Sequence, residues 1–378
     1  MEYFPLGLAG GKAFCNRFSE RSTLKKNIDL GRSTIVMSPR RYGKSSLVLY
    51  VLEALGLPYK RVDLFVTLNE TTIAREIIDG VNTLLNAIVT KPQKLMISVQ
   101  TMLQHISTKW TVGTDGLRVE LSRQSIEDDA LAIRDALSIL DQFLQKQNTR
   151  AIFFIDEFQE IGVVANAKGI EGAIRSIAEK SKHLIFIFSG SNRHILSTMF
   201  EDRSRPLYML CDKLSLQRIH RDDYIKFIND VAFEHWGEKL GASFYGRLFA
   251  LTECHPYYIN LVCGRLYLQV TRLPTVEDLT QIWEQYVVEE KSKTAMELAK
   301  LSTMQKKLLI VIAHGQHDAL SSKAIVNKVS GTSGAVVKAL KVLIEKDYVF
   351  EDADFGYRIV DPLIKSSIRT FFKASALI

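Results

Sequence analysis

Residues 34–46 read Thr-Ile-Val-Met-Ser-Pro-Arg-Arg-Tyr-Gly-Lys-Ser-Ser, and a helical pattern follows over 44–55. A short β-branched run, a tight turn and a helix in that order form the layout of a phosphate-binding loop, whose backbone N–H groups wrap the phosphates of a nucleotide. Each position has a physical reason. Gly43 lets the backbone take a conformation that a side chain would block. Lys44 places a cation against the β and γ phosphates, and the Ser45 hydroxyl suits Mg²⁺, which prefers oxygen donors. The helix points its partially positive N-terminus at the anion. Where the pattern G-x-x-x-x-G-K-[ST] has its first glycine, this chain has Ser38, a residue small enough to turn. The candidate phosphate-binding residues are therefore Ser38, Pro39, Arg40, Arg41, Tyr42, Gly43, Lys44, Ser45 and Ser46.

Residues 151–160 read Ala-Ile-Phe-Phe-Ile-Asp-Glu-Phe-Gln-Glu. An apolar run followed by two carboxylates predicts a buried parallel strand that delivers acids to its C-terminal end. Asp156 is the expected Mg²⁺ ligand, directly or through water. Glu157 is the expected base that orients and deprotonates an attacking water.

A length of 378 residues predicts two or three domains. With 47% hydrophobic residues and a mean hydropathy of +0.02, the chain can bury large cores. No apolar run reaches the roughly 18–20 residues that span a bilayer, and Met-Glu-Tyr-Phe-Pro-Leu is no signal peptide. The four cysteines, Cys15, Cys211, Cys254 and Cys263, form no C-x-x-C pair. They read as reduced, mostly buried thiols, which makes a cytoplasmic protein the expectation. A net charge of +7 permits a nucleic-acid partner without demanding one.

Strand patterns (34–37, 59–64, 151–155, 184–188 and about 208–214) alternate with helical ones (44–55, 71–90, 126–147, 169–181 and 193–200). Alternation of this kind argues for an α/β fold, a parallel sheet with helices on both faces. Val112, Leu117, Val119 and Leu121, around Gly113-Thr-Asp-Gly116, predict a β-hairpin insertion at about 108–122. From about 219 the chain reads as helical (221–235, 241–252, 256–270 and 275–292), with Thr294–Lys300 as a linker. Helices at 302–313, 321–329 and 333–346, strands Tyr348–Glu351 and Gly356–Val360, and a last helix give the order of a winged helix-turn-helix. The expected domains are 1–216, 217–295 and 300–378: the sheet domain, a helical lid and the winged helix.

With these motifs in place the chain resembles the archaeal and bacterial STAND ATPases, a branch of the AAA+ and related P-loop NTPases. Phe14-Cys-Asn-Arg17-Phe-Ser-Glu20 is similar to the family's aromatic-x-Gly-Arg-x-x-Glu motif, with Asn16 at the glycine. Ser38–Ser46 resembles G-P-R-R-x-G-K-[ST]-S, and Phe153–Gln159 resembles hhh-D-E-F-Q. Phe186–Asn192 resembles a strand ending in Ser-Gly-Ser. Pro206-Leu207-Tyr208 resembles Pro-Leu-Tyr-Gly-Arg, with Met209 and Leu210 in the last two places. His255-Pro256-Tyr257-Tyr258 resembles Gly-Gly-His-Pro-Tyr-Tyr, with Glu253 and Cys254 at the glycines.

The resemblance implies ATP or ADP with Mg²⁺ as ligands. It implies that Pro256 packs on the adenine, that His255 sits near the phosphates, and that Phe14 and Arg17 line the base-side edge. It also implies a γ-phosphate sensor at Ser191 or Asn192; Asn192 is preferred for its amide, and it equally suits a helix N-cap. Arg193, Arg203 and Arg205 are candidates for an arginine finger.

The leading expectation is a slowly hydrolysing ATPase, a nucleotide-operated switch in which Lys44, Ser45, Asp156 and Glu157 carry the chemistry. A second is an initiator- or remodelling-type AAA+ ATPase whose residues 333–358 bind duplex DNA. Residues 300–378 hold 12 Lys and Arg against 7 Asp and Glu. Lys338, Lys341, Lys346 and Arg358 suit phosphate contacts, while the acidic Glu351-Asp352-Ala-Asp354 opposes them. A third is a nucleotide-binding scaffold without turnover. A second copy of the chain and another protein both stay open as partners.

Overall fold

The structure, a computed structural model, describes residues 3–88, 110–113, 116–119, 129–352 and 355–372. Residues 89–90 and 126–128 of two expected helices, the rest of the expected insertion, and Asp354 lie outside the described residues. The chain divides into two compact units, Arg17–Gln217 and Met1–Asn16 with Arg218–Ile378.

The first unit opens with α1 (Phe18–Asp29) and β1 (Thr34–Met37). Then come α2 (Lys44–Leu55), β2 (Tyr59–Asp63) and α3 (Glu70–Ile88). β3 (Trp110–Gly113) and β4 (Gly116–Val119) pair as an antiparallel hairpin. α4 (Asp129–Lys146), β5 (Ala151–Asp156), α5 (Ala167–Ala178), β6 (Leu184–Gly190), α6 (Arg193–Glu201) and β7 (Asp212–Ser215) complete it.

Five strands form one parallel sheet in the order β2-β5-β6-β1-β7, with helices on both faces. β1, β5 and β6 are buried at every residue. Helices cover both of their faces, which is why these strands read as continuous apolar runs rather than alternating ones. β1 and β5 flank β6, so the turn after β1 and the acids after β5 emerge on the same edge of the sheet. That edge, outside the carboxyl ends of the strands, is where ligands bind in open α/β folds.

Two expectations needed correction here. α1 had no sequence signal, because only Leu24, Asn27 and Ile28 of its 12 residues are buried and no apolar stripe forms. The strand expected from 208 starts at Asp212, since Met209 has φ 55° and leaves the extended region.

In the second unit Tyr3 and Phe4 lie in a helical core. The Tyr3 hydroxyl donates to Glu234 at 2.6 Å, and Asn260 donates to the Pro5 carbonyl at 2.8 Å. That core is built by α7 (Arg221–Trp236), α8 (Ala242–Thr252), α9 (Pro256–Gln269) and α10 (Val276–Glu289). The expected linker is instead helical, as α11 (Lys291–Ala299). A further apolar cluster is formed by α12 (Thr303–Ala313), α13 (Lys323–Lys328), α14 (Ser333–Glu345), the hairpin β8 (Val349–Asp352) and β9 (Gly356–Ile359), and α15 (Pro362–Phe371). Among the described residues no helix is long and apolar enough to cross a membrane.

Candidate active site

Gly43 has φ 85°, a left-handed conformation that glycine adopts without penalty, and it turns the chain directly into α2. Ser38 is buried and is absent from the residues with positive φ, so the missing first glycine imposes no such strain. Lys44 is 5% exposed, and its ammonium donates to the carbonyls of Ser38 and Pro39, both at 3.3 Å. Its charge is thus held against the inner curve of the loop. Arg40 and Arg41 are exposed, Ser46 and Tyr42 are buried, and Arg41 has φ 65°. Arg17 braces the loop: its guanidinium donates to the Tyr42 carbonyl at 3.1 Å and pairs with Glu20 at 2.7 Å.

The loop and the acidic strand meet at Asp156, which is 1% exposed. The Ser45 hydroxyl donates to Asp156 Oδ2 at 2.6 Å. Asp156 Oδ1 accepts from the Glu157 backbone N–H at 3.1 Å and from the Ser189 hydroxyl. The next residue, Glu157, has φ 53°, a strained value for a side-chain-bearing residue. Its Oε2 accepts from Gln159 Nε2 at 2.6 Å and from the Ser191 hydroxyl at 2.9 Å. Gln159 completes a bracket by accepting from the Ser191 backbone N–H at 3.2 Å. Gly190 makes room for that bracket, since a Cβ there would run into the Gln159 amide. Burial raises the pKa of the neighbouring Glu160 carboxyl.

Ser45 and Asp156 offer two hard oxygen donors on one edge, a set that suits Mg²⁺. Among the described residues there is no His, Cys, Asp and Glu cluster of the kind that cages a metal with protein ligands alone.

The remaining expected residues have structural contacts of their own. Asn192 is the N-cap of α6, its Oδ1 accepting from the Ile195 N–H at 3.1 Å. Ser191, not Asn192, is the strand-end side chain that touches Glu157. Arg205 pairs with Glu171, a fully buried carboxylate whose pKa burial pushes up against the pull of that arginine. Phe14, His255 and Pro256 belong to the other unit; His255 is buried there as the N-cap of α9, and Pro256 is its first residue.

Sequence reasoning missed Arg61, Ser189 and the bracketing role of Gln159. Arg61, on the edge strand β2, donates from Nε at 3.0 Å and Nη2 at 2.7 Å to Asp156 Oδ2, and pairs with Asp63 at 2.7 Å. The usable signal was register: Asp63 stands beside Asp156 on the neighbouring strand.

The chain is similar over nearly its whole length to solved structures. One is a Walker-type ATPase of Pyrococcus abyssi, at 18% identity, covering 97% of this chain and 99% of that chain with a TM-score of 0.69. Another is the Aeropyrum pernix ORC2 protein in ADPNP–ADP complexes, at 15% identity, covering 96% of this chain and 95% of that chain with a TM-score of 0.56. At these identities the likeness is one of fold. No protein-family model matches the chain, and no curated protein matches its sequence.

Proposed function

We propose that the chain binds ATP with Mg²⁺ at this edge of the sheet and hydrolyses it slowly, as a nucleotide-operated switch of the STAND and AAA+-like kind. The observation that carries the reading is the meeting of Ser45 and Asp156 at 2.6 Å, with Glu157 held beside them by Gln159 and Ser191. Two unrelated stretches of sequence, each with its own phosphate-site chemistry, converge on one carboxylate.

In this reading each residue takes one role. The backbone N–H groups of Ser38–Gly43 and the N-terminus of α2 cradle the phosphates. Lys44 exchanges its two carbonyl partners for phosphate oxygens, a stronger charge-assisted contact. Ser45 and Asp156 would hold Mg²⁺, which supplies charge neutralisation on the phosphates when bound. Glu157 accepts the proton of the attacking water, and its two donors, Gln159 and Ser191, fix its direction. The arrangement acts as a switch when ATP and ADP differ in affinity for two arrangements of the chain. We place Arg17 and Asn192 as supporting residues of the same nucleotide site, and the protein in the cytoplasm.

The test is Glu157→Gln. The variant is expected to retain ATP through gel filtration, where the wild type elutes with ADP. Hydrolysis at the wild-type rate in Glu157→Gln removes Glu157 as the base. ATP retained intact by both proteins makes the chain a nucleotide-binding scaffold.

A second reading has its own support. α12–α15 with β8 and β9 follow the order of a winged helix, and Lys338 and Lys341 on α14, with Lys346 just after it, are exposed. Such a face suits the phosphates of duplex DNA. Arg358, expected to join them, is instead paired with Glu253 at 2.9 Å and Asp352 at 3.3 Å, so the lysines alone would carry the contact.

A further inference from the structure

Asp156 Oδ2 is saturated. It accepts from Ser45 Oγ at 2.6 Å, Arg61 Nε at 3.0 Å and Arg61 Nη2 at 2.7 Å. A carboxylate oxygen offers about two lone pairs. Oδ1 is also filled, by the Glu157 N–H and the Ser189 hydroxyl. A divalent cation, or a water in its shell, reaches Asp156 only if one donor leaves.

The donors are not equally able to do so. Ser45 belongs to the first turn of α2, Glu157 donates through its backbone, and Ser189 is fully buried in β6. Arg61 is the exception. It lies on the edge strand β2, its side chain is 29% exposed, and its reach is long. It also has somewhere to go: Nη2 already donates to Asp63 Oδ2 at 2.7 Å, and the Asp63 side chain is 45% exposed.

Resting on the nucleotide reading of this site, we propose that Arg61 is a built-in competitor for the divalent cation at Asp156, and that Asp63 is the acceptor that takes its guanidinium when the cation binds. The guanidinium supplies to Asp156 the positive charge that the cation would otherwise supply. The apparent cation affinity then falls by the fraction of molecules in which Arg61 has left. Hydrogen bonds to a charged group of this kind are strong enough to keep that fraction near one in ten, on the order of a tenfold effect. Arg61 is a positioning residue here; it sets how much Mg²⁺ the site demands before nucleotide is held tightly.

The test is a Mg²⁺ titration of mant-ADP fluorescence with the full chain, as wild type, Arg61→Gln and Asp63→Asn. Arg61→Gln is expected to lower the half-saturating Mg²⁺ by about tenfold. Asp63→Asn, which leaves Arg61 with Asp156 alone, is expected to raise it. The opposite signs separate competition from a bracing role, which would weaken binding in both variants. An unchanged or raised requirement in Arg61→Gln overturns the proposal. If that variant does not fold, an unchanged or lowered requirement in Asp63→Asn overturns it instead. Absence of mant-ADP binding by the wild type would refute the nucleotide reading itself, an outcome distinct from binding with unaltered Mg²⁺ dependence.

Discussion

Replacing Glu253 by Gln tests how a buried charge organises the second unit. The side chain is 7% exposed and accepts from Arg218 at 2.7 Å, from Arg358 at 2.9 Å and from Lys365. Arg218 also donates to the Glu253 carbonyl at 2.8 Å and the Val360 carbonyl at 2.9 Å. One carboxylate thus joins the turn after α8 to β9 and α15. Burial opposes its ionisation, but the Arg218 and Lys365 charges outweigh that and hold its carboxyl down to about 2, from an ordinary 4.5.

A depressed pKa stabilises the fold above the unfolded-state value, and the contribution is lost as pH falls toward the folded-state value. The linked stability at pH 7 is about 3 kcal/mol, falling to about 1 kcal/mol near pH 3. Breaking a buried pair costs a similar amount by an independent route, roughly 3–5 kcal/mol.

Urea unfolding followed by tryptophan fluorescence reads this directly. Trp236 and Trp283 lie in the second unit, and a Trp110→Phe background silences the third tryptophan. Glu253→Gln is expected to be less stable by about 3 kcal/mol at pH 7, with the gap closing toward pH 3. Equal stability at pH 7, or a gap that does not shrink on acidification, refutes the reasoning.

Gly190→Ala puts a Cβ into the Gln159 amide and within 2.9 Å of Leu196 Cδ1; an overpacking cost of about 1–3 kcal/mol and slower phosphate release are expected in thermal melts and turnover assays. Arg205→Ala strands the fully buried Glu171, so a loss of about 3 kcal/mol is expected in melts. For the DNA reading, Lys338→Glu with Lys341→Glu is expected to abolish duplex binding at low salt in fluorescence anisotropy, and undiminished binding would move the contact away from α14.

The parts of the site that sequence revealed are those whose chemistry demands adjacent residues. Gly43-Lys44-Ser45 and Asp156-Glu157 announce themselves because a loop and a strand end each supply several groups at once. The central strands were legible for a related reason: burial on both faces leaves only apolar residues. What stayed hidden depends on neighbours distant in sequence. Arg61 sits in a strand with three half-buried residues at its start, and only pairing with β5 brings it to Asp156.

The substituted glycines were a clue only half read. Asn16, Met209, Glu253 and Cys254 stand where the motifs that the chain resembles have glycine, and all four have positive φ, at 51°, 55°, 50° and 58°. The backbone takes left-handed turns at these positions and bears the side-chain strain, of order 1 kcal/mol each. At Glu253 the added carboxylate is used for the ion cluster, a compensation that no local pattern announces.

Isothermal titration of ATP into the wild type and into Lys44→Ala, both with Mg²⁺, tests the central claim most directly. Lys44 is buried at the inner curve of the loop, so its loss removes the cation proposed to meet the phosphates. The predicted result is saturable binding by the wild type at about one site per chain and loss of measurable heat in Lys44→Ala. Equal binding by the two proteins, or none by a folded wild type, would contradict it.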